Sequence, residues 1–85
     1  MYLHIGNNKN IREKHIIGIF DADTASVAAI TKKYLSDAEK RGEVFFATEE
    51  IPKSFVLYRE NGKFAICFSQ LSAAALLGRS EKGET

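Results

Sequence analysis

A chain of 85 residues with a formal net charge of +1 is one small domain. A domain this size hides only roughly 60–65% of its unfolded surface, so its core is limited. The near-neutral charge argues against an ordinary, strongly basic nucleic-acid binder, and no apolar run approaches the ~18 residues that cross a bilayer.

In chain order, Met1–Ile5 alternates loosely and reads as a short strand, with Gly6, Asn7 and Asn8 as a turn. Asn10 to Asp21 contains Ile16, Ile17, Gly18, Ile19 and Phe20, a second strand that is apolar on both faces. Gly18 inside it marks a bulge or a close backbone approach. Asp23 or Thr24 can cap the helix that follows, predicted over about Ala25–Arg41. Val27, Ile30, Tyr34 and Ala38, with Leu35 beside them, form its apolar stripe. Lys40 and Arg41 suit its C-terminal end, and Gly42 is placed to stop it. Val44–Ala47 reads as a third strand and Thr48–Lys53 as a loop.

The least ambiguous stretch is Ser54–Phe68. Two apolar runs, Ser54–Glu60 and Lys63–Phe68, are separated by Asn61 and Gly62 alone. Asn-Gly tolerates positive φ at both central positions, which favours a type I′ turn and sets the register. That register pairs Glu60 with Lys63, Arg59 with Phe64, Leu57 with Ile66, and Phe55 with Phe68. Alternation puts Phe55, Leu57, Phe64, Ile66 and Phe68 on one face, and Val56, Tyr58, Ala65 and Cys67 on the other. A hairpin apolar on both faces belongs in a sheet covered twice, or in an oligomer. Ser69 can cap a short last helix over Gln70–Leu77, with Gly78 as its stop and a polar tail beyond. The reading is therefore α+β, in the order ββαβββα, mainly antiparallel, with one long and one short helix. One domain fills 1–79, and a disordered tail is expected at 80–85.

Reactive chemistry has little to stand on, so no enzymatic activity is expected. His4 and His15 lack metal-ligand spacing, and Cys67 is alone in a strand predicted to be buried. Asp21 and Asp23 flank a strand-to-helix turn and read as turn and capping residues. Gly6, Gly18 and Gly42 are too far apart for a phosphate loop. No cofactor and no metal is implied. The lone cysteine and the absence of a charged leader before an apolar block point to the cytoplasm.

Four strings carry a resemblance: MYLHIGNN at the N-terminus, IIGIFD at Ile16–Asp21, IPKSFVL at Ile51–Leu57 and SQLSAAAL at Ser69–Leu76. With DAEKRG at Asp37–Gly42, they make the chain similar to the RemA/RemB family of bacterial extracellular matrix and biofilm regulators, closest to its RemB branch. The resemblance covers residues 1 to about 79. It implies a protomer that assembles into a closed ring and binds DNA as a transcription regulator; with only ~2–4 phosphate contacts per protomer, that binding is expected to be weak and salt-dependent. The basic positions it implies are Lys14 and His15, with Arg12 close by, and Lys53. On this reading Arg12, Lys14 and Lys53 share one exposed rim. The chain departs from the RemA pattern where that branch has paired arginines: Ile51 and Pro52 stand there, after Glu49 and Glu50. The alternative is an assembly module of the same fold that has lost DNA binding and acts through protein contacts.

Overall fold

The computed structural model describes residues 2–7, 9–35 and 42–83. The Asn61–Gly62 reversal folds as its chemistry dictates, with φ of 53° at Asn61 and 78° at Gly62. It joins β5 (Ser54–Glu60) to β6 (Lys63–Ser69) in the register expected, from Glu60↔Lys63 through Leu57↔Ile66 to Phe55↔Phe68. Nothing lies within 4 Å of the place a Gly62 Cβ would take, so Gly62→Val tests the backbone alone. Positive φ in a β-branched residue should cost about 1–2 kcal/mol, read as a lower Tm. An unchanged Tm would show that the turn tolerates another geometry.

For orientation, the earlier elements are β1 (Tyr2–Gly6), β2 (Lys9–Arg12), β3 (Ile16–Asp21), α1 (Thr24–Ile30) and β4 (Glu43–Phe46). The last is α2 (Ala73–Gly83). Among the described residues the main sheet has the order β3-β5-β6-β4. β3 and β6 run antiparallel to β5, and β4 runs parallel to β6. The fold is α+β and mostly antiparallel, as the sequence predicts. Gly18 sits at a shift of register in β3, and a Cβ on it would meet the Phe20 ring at 2.6 Å.

One strand was not expected. Lys9–Arg12 pairs antiparallel with β1, matching Leu3 to Ile11 and Tyr2 to Arg12. Its sequence, KNIR, holds a single apolar residue and so carries no alternation signal. The ribbon it completes turns Leu3, Ile5 and Ile11 onto the main sheet, where they are buried with Val56, Tyr58, Ala65, Cys67 and Leu76. On the other face Phe55, Leu57, Ile66 and Phe68 meet Phe20, Val27, Ile30, Tyr34 and Leu35. Both apolar faces of the hairpin are thus covered within one chain, by the ribbon and α2 on one side and α1 on the other. The hairpin therefore makes no demand for a partner.

Asp23 caps α1, its carboxylate accepting from Ser26 N and Ser26 Oγ, each at 2.8 Å. The helix widens into a π-helical turn over Thr31–Leu35. The rest of the expected helix, including Ala38, Lys40 and Arg41, lies outside the described residues.

The last helix needs correcting. Ser69 does not cap it: it is the final residue of β6 and fully buried. Its Oγ donates to Ile5 O at 2.7 Å and accepts from Leu71 N at 3.0 Å, tying the ribbon to the sheet. Ser72 does the capping, accepting from Ala75 N at 3.1 Å, and α2 starts at Ala73. Nor does Gly78 stop it. The helical backbone continues through Gly83, into the stretch expected to be a tail. The alanine-rich turns and the docking of Leu76 outweigh the ~1 kcal/mol that an internal glycine costs.

Candidate nucleic-acid interface

A single turn of 3-10 helix, Glu13–His15, carries the chain from β2 into β3 and packs on β5. Lys14 is exposed on it and His15 half-buried. Arg12 precedes it, exposed, its Nε donating to the Tyr2 hydroxyl at 3.2 Å and its guanidinium 5.7 Å from the Tyr2 ring centre. That bond pushes the Arg12 pKa up and fixes where the charge is carried.

The register decides what stands beside this turn. Ile16 pairs with Tyr58, so the turn lies at the hairpin end of the sheet. Two further exposed cations are there: Arg59, whose guanidinium lies 5.3 Å from the Phe64 ring centre, and Lys63 across the reversal. Neither was singled out from the sequence. Their signal was available in the hairpin register, but only the β3–β5 pairing brings them near Lys14. Glu13, Glu43 and Glu60 are the carboxylates of the same end.

Lys53 does not join them. It precedes β5, its backbone exchanging hydrogen bonds with Ala22 N at 3.0 Å and Ser69 O at 2.9 Å. Since Asp21 pairs with Ser54 and Ile16 with Tyr58, Lys53 and His15 sit at opposite ends of β3. The five residue steps of β3 alone, at ~3.3 Å each, put more than about 16 Å between them. The single rim expected for Arg12, Lys14 and Lys53 is therefore not formed within one chain. Around Lys53 stand Asp21, Asp23, Glu49 and Glu50, all exposed. Thr48 shapes this acidic loop, its Oγ1 accepting from Glu50 N at 3.0 Å. Hydrogen bonds from Ser26 hold the Asp23 carboxyl below the usual range. Among the described residues, Asp21, Asp23, Glu49 and Glu50 lie with Lys53 at one end of the strands, and Arg12, Lys14, Arg59 and Lys63 lie with Glu13, Glu43 and Glu60 at the other.

His4 Nδ1 meets Asn10 Oδ1 at 3.0 Å on the outer ribbon face, away from His15. Among the described residues no three of His, Cys, Asp and Glu gather as a metal site, and no helix is long and apolar enough to cross a membrane. Cys67 is fully buried, and burial pushes its thiol pKa up, the opposite of an activated nucleophile. A cleft of about 160 Å³ is lined by Glu43, Phe45, Tyr58, Glu60 and Lys63, below the ~300 Å³ of ordinary ligand pockets. The Tyr58 hydroxyl is buried without a hydrogen-bond partner, and burial drives its pKa up. Comparison with protein-family models and with curated proteins gives no match to this chain.

Proposed function

We propose that this chain is a non-enzymatic, self-assembling, DNA-binding regulator of the RemA/RemB type, acting in the cytoplasm on matrix and biofilm gene expression. The observation that carries the DNA contact is the placement of Arg12, Lys14, Arg59 and Lys63 at one end of the sheet, Arg59 on the α1-covered face and Lys63 on the other. They are exposed cations, the groups that sequence-independent phosphate contact uses. Resemblance in four separated strings supplies the class of regulator. An assembly module that has lost DNA binding is the second reading, favoured by the carboxylates surrounding Lys53.

Binding of random-sequence duplex at 50 and 200 mM salt tests the proposal. With ~2–4 phosphate contacts per protomer, affinity should fall roughly 10- to 150-fold over that range for each protomer engaged. Unrelated sequences should differ little. An assembled protein that binds no DNA at the lower salt would leave the assembly module in its place.

A further inference from the structure

We propose that the cleft on the ribbon side of the sheet, between the hairpin tip and β4, binds the ammonium head of a small primary amine. Strand register builds this cleft. Tyr58 pairs with Ala65, Ala65 with Glu43, and Glu60 with Lys63. Alternation puts all of these side chains on one face, with Phe45 two residues beyond Glu43. Ala65 is the floor, a small side chain between the long ones of Tyr58 and Glu43. Around it the rings of Tyr58 and Phe45 and the charged groups of Glu43, Glu60 and Lys63 enclose about 160 Å³. A cavity of ~150 Å³ holds a molecule the size of benzene, so the ligand has on the order of six heavy atoms.

The chemistry of the lining selects the ligand. Tyr58 is 1% exposed, and its hydroxyl is buried without a hydrogen-bond partner. A hydroxyl in that state costs stability until something meets it. Burial, with Cys67, Glu60 and Glu43 acting in the same direction, drives its pKa up, so it stays protonated. Its oxygen and the two carboxylates are three acceptors, and a primary ammonium carries three N–H donors. The ring wall already accepts a cation. Lys9 reaches over from β2 and sets its ammonium 4.6 Å from the Phe45 ring centre and 5.7 Å from that of Tyr58. It makes no hydrogen bond to the Tyr58 hydroxyl, which a ligand free of the chain can reach. Lys63, exposed at the rim, favours a ligand whose other end is neutral or anionic.

Titration of the full chain with n-butylamine hydrochloride at neutral pH, followed by amide NMR against sodium chloride of equal ionic strength, tests the site. Saturable shifts should centre on Glu43, Tyr58, Glu60 and Ala65. Tetramethylammonium, which has no N–H donor, should bind at least about tenfold more weakly. Tyr58→Phe should raise the Tm of the free protein, because an unpaired buried hydroxyl is gone, yet weaken butylamine binding about tenfold. Glu43→Gln with Glu60→Gln, both exposed, should abolish saturable binding, and carries the test alone if Tyr58→Phe unfolds. Lys9→Met removes the tethered competitor and should strengthen binding about threefold. Glu49→Gln with Glu50→Gln, at the other end of the strands, should leave it unchanged. Equal binding of tetramethylammonium would mean diffuse attraction of cations, and overturns the proposal. An absence of saturable shifts does the same, as does unaltered affinity in a folded Tyr58→Phe or in the Glu43/Glu60 variant.

Discussion

Arg12→Glu with Lys14→Glu should lower DNA affinity on the order of 10- to 100-fold at 0.1 M salt. Removing one phosphate interaction takes about 0.9 from the slope of log affinity against log salt, so the pair should flatten it by about 2 for each protomer engaged. The weakening should be nearly the same on unrelated sequences, since phosphates and not bases are touched. Both side chains are exposed and outside the core, so the fold should survive the change. Lys53→Glu is the internal comparison. It lies at the far end of β3, among Asp21, Asp23, Glu49 and Glu50, and should cost less than about threefold because few phosphates approach a surface already negative. Filter binding or anisotropy across a salt series reads both effects. Equal effects from Lys53→Glu and from the Arg12/Lys14 pair would place the DNA across both ends and overturn the one-ended interface.

Phe55→Ala should be the most damaging single truncation in the core, at about 3–5 kcal/mol. Phe55 is fully buried at the centre of the α1-covered face. Its ring stacks on Phe20 at 5.3 Å and tilts against Phe68 at 5.6 Å. Removing it opens a cavity shared by β3, β6 and α1, which the sheet cannot close because backbone pairing fixes the spacing of its strands. In a domain this small each kcal/mol moves Tm by about 4–8 °C, so the midpoint should fall by at least about 12 °C. Phe46→Ala, also in an aromatic stack but 64% exposed, should move it by only a few degrees. Similar shifts for the two would mean that burial does not set the worth of these rings.

Several features were legible because they are local. Asn61–Gly62 determined the hairpin register, since two positive-φ positions in a two-residue loop leave only one way to pair what flanks them. Asp23 was legible as one of two candidate caps, with Thr24, because capping is settled within three residues, and the bond from Ser26 N decides for Asp23. The stripe Val27, Ile30, Tyr34, Leu35 was legible from its spacing, and it faces the core. Elsewhere local signals competed. Ser69 and Ser72 both suit the cap of the same alanine-rich helix, and the choice is made by the Ile5 carbonyl, a buried acceptor 64 residues away that takes the Ser69 hydroxyl. β2 has a single apolar residue, and it is a strand only because β1 offers it a partner.

The sequence by itself determined the α+β class, the hairpin and its register, the two-faced apolar core, and the poverty of reactive groups. Those follow from turn chemistry, alternation and residue inventory, which need no knowledge of what lies across space. Tertiary structure alone decided what covers the hairpin, how its cations are distributed, and which strand is left open. The β3–β5 pairing carries Lys14 and Lys53 to opposite ends and brings Arg59 to the first of them. Placing β4 at the rim of the sheet leaves Val44, Phe45 and Phe46 in solvent. Those outcomes depend on which strands become neighbours, and strand order is a long-range choice that no window of sequence contains.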